Sequence, residues 1–121
     1  MQIKELLSDK KLKLTTARKE LLEIFSTAHK PLSYEELKNR LNMDKATFYR
    51  NISRFEDESI VNCFESNDKK RYYEIQEKPH SHFICNLCNS IECMKTTNKT
   101  YMDGYIIKDV IYKGICKICN T

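Results

Sequence analysis

Two Cys-x-x-Cys pairs, Cys85–Cys88 and Cys116–Cys119, constrain the fold of this chain more than any other feature of its sequence. Cysteines at this spacing can direct both thiolates to one tetrahedral ion, and together the pairs supply the sulfur ligands of a structural zinc site. A disulfide scaffold is the alternative use of 6 cysteines in a short chain. The N-terminus lacks the apolar segment of a signal peptide, which favours zinc over disulfides.

Two histidines, His80 and His82, lie just upstream of the first cysteine pair. Side chains alternate between the faces of an extended segment, so His80, His82 and Ile84 are predicted to share one face. Imidazoles beside a cysteine knuckle predict a second, separate metal site. The alternative, in which both histidines are packed side chains without a metal, stays open.

Length and charge limit the class of protein. The chain has 121 residues and a formal net charge of +4, which fits one domain or two very small ones. It contains no run of about 18 apolar residues that could span a bilayer, so we expect a cytoplasmic protein with no membrane partner. The charge alone barely indicates nucleic acid, and any DNA binding must depend on where the basic residues lie.

Capping signals and helical spacing in the first half predict three helices followed by a hairpin. The first helix is Ala17–Ala28, with Thr15 or Thr16 as its cap. The second begins with the capping box Ser33-x-x-Glu36 and buries Leu37 and Leu41. The third is Lys45–Phe55, which buries Phe48, Ile52 and Phe55. Strands Val61–Phe64 and Arg71–Ile75 flank a polar turn. This order of elements predicts a winged helix-turn-helix.

The polar face of the helix Lys45–Phe55 carries side chains of the kind that contact phosphates and base edges, and the tip of the hairpin is basic. A face that is only solvated is the alternative interpretation. The predicted DNA contacts are Lys45, Thr47, Tyr49, Arg50 and Arg54 on the helix and Lys69 and Lys70 on the hairpin.

Pro79 marks a predicted boundary between a winged-helix DNA-binding domain, residues 1–78, and a short zinc-stapled domain, residues 79–121. The expected fold class is α+β, a winged helix-turn-helix followed by a small α/β domain with a four-cysteine zinc site. The predicted elements of the second domain are strands His82–Cys85, Ile91–Met94 and Tyr105–Tyr112 and a short helix Thr96–Met102. So short a segment has little core of its own, so zinc and pairing with a second copy would stabilise it.

From about Lys10 to Cys119 the sequence resembles the ferric uptake regulator family. The matching motifs are Leu14-Thr15-x-x-Arg18, Ala46-Thr47-Phe48-Tyr49-Arg50-Asn51, Tyr73-Glu74, His80-x-His82-x-x-Cys85-x-x-Cys88 and Gly114-x-Cys116-x-x-Cys119. The resemblance implies a metal-responsive, homodimeric bacterial transcription regulator that binds a double-stranded DNA operator. It also implies that residues 79–121 form a small α/β dimerisation domain. We expect a repressor of genes for metal uptake or for metal and oxidative stress.

The same resemblance implies the ligands of two metals. The expected structural zinc ligands are Cys85, Cys88, Cys116 and Cys119, and the expected regulatory ligands are Glu74, His80 and His82, with His29 near a further ligand and either Glu92 or Cys93 as the last. The regulatory ion is expected to be Fe2+ or Zn2+, with Mn2+ as a third candidate, and a Cys93 thiolate would favour zinc. Lys13 and Arg18 match contacts to the DNA backbone or minor groove.

The sequence also departs from the family pattern. Pro79, Ser81 and Lys108 stand where some ligands of a common third metal site are expected, so that site is predicted to be missing. The dimerisation helix is short, which predicts a reduced dimer interface. Ser59 replaces the glycine that usually follows the recognition helix, at a cost of about 1 kcal/mol if its backbone is left-handed.

Three other functions remain as alternatives. A Cys-x-x-Cys pair can be a redox dithiol and two histidines with a glutamate can hold catalytic zinc, but no nucleophile or general base is spaced for chemistry, so we do not expect an enzyme. A winged-helix module with structural zinc only is the second alternative. A peroxide-sensing member of the same family is the third.

Overall fold

The computed structural model describes residues 7, 11–28, 30–75, 81–94, 102–107 and 109–121. Within these residues the chain forms two three-stranded sheets, with strand orders β1-β3-β2 and β5-β4-β6. The elements are α1 (Thr16–Thr27), β1 (Leu32–Ser33), α2 (Tyr34–Leu37), α3 (Lys45–Asp57), β2 (Val61–Glu65), β3 (Arg71–Ile75), β4 (Ser81–Cys85), β5 (Ile91–Met94) and β6 (Ile111–Gly114). No helix in this part of the chain is long and apolar enough to cross a membrane.

Helix α1 begins where its capping residue predicts. The Thr15 side chain accepts a hydrogen bond from the Arg18 backbone N–H at 3.2 Å, which satisfies one of the donors left free in the first turn. Leu21, Leu22 and Phe25 are buried, as their helical spacing predicts. The predicted amphipathic helix and its cap are confirmed.

Helix α2 has the predicted capping box, in which the Glu36 backbone donates to the Ser33 hydroxyl at 3.3 Å. The helix ends at Leu37, however, so the prediction that it continues to Leu41 was wrong. The Glu20 carboxylate of α1 accepts hydrogen bonds from the Asn42 backbone and side chain, at 2.8 and 2.9 Å. These two bonds to α1 hold the chain in a turn after α2. Leu41 therefore packs against the core from outside α2.

Helix α3 is capped by Asp44, whose carboxylate accepts from the Thr47 backbone at 2.8 Å. Hydrogen bonds from the side chain and the backbone of Thr47 lower the pKa of Asp44. Phe48, Ile52 and Phe55 are buried, as predicted, and form the centre of the N-terminal core.

The C-terminus of α3 has the hydrogen bonds of a Schellman motif. Ile60 donates its backbone N–H to the carbonyl of Phe55 at 2.8 Å, and Ser59 donates to Glu56 at 3.0 Å. Ser59 occupies the left-handed position of this motif with φ +59°. Ser59 therefore has a Cβ at a left-handed position where glycine is favoured, and this is the position at which the sequence departs from the family pattern.

The predicted hairpin is confirmed as β2 and β3, which pair antiparallel from Val61↔Ile75 to Glu65↔Arg71. The sequence did not indicate β1, which adds Leu32 and Ser33 to the other edge of β3. A strand of two residues is too short to show an alternating pattern. Together these elements form a winged helix-turn-helix, and we call β1, β2 and β3 the wing sheet.

The second sheet has β4 at its centre, antiparallel to β5 and parallel to β6. Strands β4 and β5 lie where the sequence predicts them, but the prediction of a strand over Tyr105–Tyr112 was wrong, since the ladder runs from Ile111 to Gly114. Strand β6 pairs with four of the five residues of β4, from His82 to Cys85, so most of the predicted strand lies before the ladder. Tyr105 and Ile106 stay outside the ladder, 67% and 89% exposed.

Some predictions concern residues outside the ranges that the structure describes. The proposed boundary at Pro79 and nearly all of the proposed helix Thr96–Met102 lie outside the described residues. Of the positions at which a third metal site is predicted to be missing, Ser81 is buried in β4, while Pro79 and Lys108 also lie outside this range.

Candidate metal centres

The four knuckle cysteines come together because β4 and β6 run parallel and end side by side. Cys85 is the last residue of β4 and pairs with Gly114 of β6. The turns after these two strands therefore bring both cysteine pairs to the same end of the sheet. The sulfur atoms of Cys85, Cys88, Cys116 and Cys119 all lie within 4.8 Å of one another. This is the predicted cluster.

Backbone donors surround the buried Cys85 sulfur. The N–H groups of Leu87, Cys88 and Cys116 donate to it at 3.3, 3.4 and 3.4 Å. Hydrogen bonds from Cys88 and Cys116 lower the pKa of Cys85 to about 6. A hydrogen bond with the Cys116 sulfur raises the pKa of Cys119, and burial acts in the same direction.

This environment fits a thiophilic cation. The pKa of Cys88 is also lowered, chiefly by its hydrogen bonds with Ser90, so Cys85 and Cys88 both favour the thiolate form. Cys119 favours the thiol until a positive charge compensates a further thiolate, and Zn2+ supplies that charge. All six cysteines lie in the described part of the chain, and none forms a disulfide. Cys88 and Cys116 have their sulfurs 3.8 Å apart, well beyond the S–S bond length of about 2.05 Å.

A second cluster joins the wing sheet to the second sheet. It contains Glu74 of β3, His82 of β4 and Cys93 of β5, whose ligand atoms lie within 4.8 Å of one another. The Nε2 atom of His82 lies 2.7 Å from Oε1 of Glu74. His82 is 1% exposed, and its ring packs against that of Phe64, with 4.6 Å between ring centroids.

Strand register explains which side chain after the first knuckle reaches this cluster. Cys93 pairs with His82 across the β4–β5 ladder, so the two side chains share one face of the sheet. Glu92 pairs with Phe83, and because alternate residues point to opposite faces, the structure does not bring it to the cluster. His80 and His29 lie outside the described residues.

Two further hydrogen bonds connect the same two parts of the chain. The Asn62 side-chain amide on β2 donates to the carboxylate of Asp109, and the Asn67 amide at the hairpin tip donates to Asn86 at 3.0 Å. The sequence does not indicate these contacts, because nothing in a lone asparagine reveals a partner more than 15 residues away, here in the segment before β6 and in the turn after β4. Their effect is to hold the wing sheet beside the turn and strand that carry the metal-ligating side chains.

The predicted DNA-facing residues of α3 lie on its outer face. Tyr49 is 41% exposed, and Lys45 and Arg50 are exposed, while Thr47 is half-buried beside the Asp44 cap. The Lys45 ammonium lies 5.6 Å from the centroid of the Tyr34 ring, close enough for a cation–π contact. Arg54 is exposed and forms an ion pair with Glu58 at 3.5 Å. At the hairpin tip, Lys69 and Lys70 are exposed, and Lys69 has φ +65°.

Arg18 differs from the other predicted DNA contacts, because its guanidinium connects two other segments of the chain by hydrogen bonds. Its Nε donates to Oδ1 of Asn51 at 3.1 Å, and its Nη1 donates to the Lys13 carbonyl at 2.9 Å. Asn51, which is buried, donates in turn to the Thr47 carbonyl at 2.9 Å. Arg18 therefore ties the segment around Lys13 to α3, and the exposed Lys13 ammonium stays available to a ligand.

Comparison with known proteins gives a consistent result. The model of the "Ferric uptake regulator family" matches residues 9–113. A Ferric uptake regulation protein of Cupriavidus metallidurans is 36% identical over 90 residues, which cover 67% of this chain and 62% of that protein. A protein of the same name from Campylobacter jejuni is 29% identical over 99% of this chain and 87% of its own length.

The fold is similar to that of a solved structure. The Helicobacter pylori ferric uptake regulator, described as having three functional metal binding sites, superposes with a TM-score of 0.76 over 100% of this chain and 95% of the other, at 20% identity. At this identity the likeness shows the fold. Since the family model matches most of the chain, the protein belongs to the ferric uptake regulator family of metal-responsive transcription regulators.

Proposed function

We propose that this protein is a homodimeric repressor that binds a double-stranded DNA operator in the cytoplasm when a regulatory metal joins its two sheets. The observation that carries the proposal is the cluster of Glu74, His82 and Cys93, because its ligands come from the wing sheet and from the second sheet. His80 and His29 are proposed as additional ligands. An ion held from both sides is bound best when the two sheets lie close together.

The regulatory step is a shift between conformations. Without the ion, the hydrogen bonds of Asn62 and Asn67 hold the wing sheet only weakly beside the second sheet, and the recognition helices of the dimer also sample spacings that do not match DNA. The ion binds the closed arrangement more tightly, and this difference in affinity is what moves the population to the DNA-binding form. Glu74 and His82, already 2.7 Å apart, position the wing sheet for this step.

The structural ion has a different role. Cys85, Cys88, Cys116 and Cys119 would hold Zn2+, which supplies a cross-link between the turn after β4 and the tail after β6. The second sheet has few buried apolar side chains, among them Ile84 in β4, so a cross-link of this kind contributes much of its stability.

Contacts with DNA are proposed for the outer face of α3 and the hairpin tip. Tyr49 and Arg50 are the candidates for base and phosphate contacts, and Lys45, Thr47 and Arg54 flank them on the helix. Lys69 and Lys70 would contact phosphate, which positions the protein without reading sequence. Lys13, held near α3 by Arg18, is a further phosphate contact.

The dimer is proposed to form through the second sheet. Strand β6 is an edge strand of that sheet, and Tyr112 and the following Ile115 are 45% and 52% exposed. An exposed edge with apolar side chains is a template for pairing with another strand, and a second copy of the chain would cover both. An enzymatic activity is not proposed, since the family to which the chain belongs consists of transcription regulators.

The test is enrichment of a random-sequence duplex DNA pool by protein that carries one zinc per chain, with and without added Fe2+, Mn2+ or Zn2+. Metal-dependent enrichment of one palindromic sequence supports the proposal. Enrichment that is the same with and without added metal would instead favour a module with structural zinc only, and no enrichment under any condition would refute DNA recognition. Oxidation of His80 or His82 by peroxide in the metal-loaded protein would identify the peroxide-sensing alternative.

A further inference from the structure

We propose that the regulatory site of this protein is selective for zinc, because Cys93 contributes a thiolate beside the Glu74 carboxylate and the His82 imidazole. This inference rests on the proposed function and specifies the metal to which the protein responds. Without the Cys93 thiolate, the remaining ligands are compatible with several divalent ions.

The position of Cys93 follows from the backbone and does not depend on one side-chain rotamer. Within β4–β5 the register pairs Ser81 with Met94, His82 with Cys93 and Phe83 with Glu92. A shift of one residue in β5 would be needed to bring Glu92 to the face of His82, and this shift would also turn Ile91, the cross-strand partner of the fully buried Ile84, to the opposite face. The pairing of Ile91 with the buried Ile84 therefore favours the register that places Cys93, and not the neighbouring carboxylate, beside the histidine.

Cys93 is also separate from the other sulfurs of the chain. Cys85 lies three residues after His82 on β4, so its side chain is on the opposite face and points to the knuckle cluster. Cys63 of β2 accepts a hydrogen bond from Nε of Arg71 at 2.9 Å and pairs with Tyr73, while the adjacent pair of that ladder is Asn62 and Glu74. Cys63 and Glu74 thus lie on opposite faces of the hairpin, and Cys93 is the only described cysteine at the cluster with Glu74 and His82.

One sulfur changes the preference of such a site. Carboxylate and imidazole ligands alone suit Fe2+, Mn2+, Co2+ and Zn2+, whereas a thiolate is a soft ligand that Zn2+ accepts in tetrahedral sites and Mn2+ disfavours. Binding deprotonates the Cys93 thiol, and the proton goes to solvent, so the sulfur meets the ion as an anion. Cys93 is exposed, which allows the ion to reach it from solvent.

Cobalt substitution tests this ligand set directly. Protein with zinc in the knuckle cluster, verified at one zinc per chain, is titrated with Co2+ so that the second site alone takes up cobalt. We expect a near-ultraviolet sulfur-to-cobalt charge-transfer band at one equivalent of added Co2+. The Cys93→Ser variant should lose this band and bind Zn2+ at the second site on the order of 100-fold more weakly, because losing a direct ligand costs at least as much as losing a supporting hydrogen bond.

Two variants provide the controls. Glu92→Gln changes the neighbouring carboxylate on the opposite face and should keep both the band and the zinc affinity. Cys93→Glu replaces sulfur by oxygen at the same position and should abolish the band while retaining metal binding, with the preference moved from Zn2+ towards Mn2+ and Fe2+.

The outcomes separate this inference from the proposed function. A second site that binds cobalt without the band, or that loses its metal in Glu92→Gln and keeps it in Cys93→Ser, would overturn zinc selectivity through Cys93 while leaving metal-dependent DNA binding in place. DNA binding that responds to no metal would refute the proposed function itself, whichever ligands the cobalt spectrum identifies.

Discussion

The side-chain amide of Asn62 donates a hydrogen bond to the carboxylate of Asp109, and this bond lies beside the proposed regulatory site. Asn62 is the cross-strand partner of Glu74. Asp109 precedes Val110, whose carbonyl accepts the backbone N–H of His82 at 3.0 Å. Each end of the bond is therefore attached to a segment that carries a metal-ligating side chain, and the bond favours the closed arrangement of the two sheets without a metal.

Removing this bond should weaken the metal response without changing the ligands. One solvent-accessible hydrogen bond contributes about 0.5–1.5 kcal/mol, so Asn62→Ala should raise the metal concentration for half-maximal DNA binding by a factor of about 2–10. Fluorescence anisotropy of labelled operator DNA measures this shift. Asn62→Asp, which places two carboxylates together, should give a larger shift, and equal metal responses in wild type and both variants would rule out a role for the contact.

Ser59 should be a site at which a single substitution stabilises the N-terminal core. Its φ of +59° is costly for a residue with a Cβ, and Ser59→Gly should raise the free energy of unfolding by about 1 kcal/mol in urea titrations followed by circular dichroism. Ser53→Gly provides the matched control, because Ser53 lies within α3 and the same change there should destabilise by about 0.5 kcal/mol. If both variants were destabilised alike, the left-handed strain at Ser59 would be disproved.

The knuckle cysteines should be required for the second sheet and for the dimer. Cys85→Ser removes the sulfur that accepts three backbone hydrogen bonds and should release zinc and give a monomer by analytical ultracentrifugation. Cys63→Ser, which changes a cysteine outside both clusters, should retain the zinc and the dimer. A Cys85→Ser protein that stays dimeric with full zinc content would argue against the structural site.

Two exposed cations should affect DNA binding in different ways. Arg50→Ala should weaken binding to the selected operator by about 1–3 kcal/mol if Arg50 contacts a base, with relaxed sequence preference at one position. Lys69→Ala should weaken binding to all sequences and reduce the slope of affinity against salt concentration by about one. Affinities measured over a salt series distinguish the two, and an unchanged operator affinity in Arg50→Ala would remove that residue from the contact surface.

Local signals predicted much of this fold because they act over a few residues. Thr15, the box of Ser33 and Glu36, and the spacing of Phe48, Ile52 and Phe55 determine helices through bonds and contacts within two turns. The cysteine spacing predicted the knuckles for the same reason. What the sequence could not provide was pairing between distant segments.

Three features illustrate that limit. The early end of α2 depends on Glu20 of another helix, and the position of β6 depends on which residues β4 leaves available. The choice between Glu92 and Cys93 depends on strand register, which the buried side of β4 determines and the local sequence does not reveal. The bond between Asn62 and Asp109 is a further contact between distant segments that the local sequence does not reveal.

The most direct test of the account is the affinity of the protein for its selected operator, measured by anisotropy across a titration of free Zn2+ with zinc retained in the knuckle cluster. For wild type we expect affinity to rise steeply as a second ion binds, and for His82→Ala we expect the same folded dimer with an affinity that stays low at all zinc concentrations. A His82→Ala protein whose affinity rises with zinc as steeply as that of wild type would contradict the central claim that an ion held between the two sheets controls DNA binding.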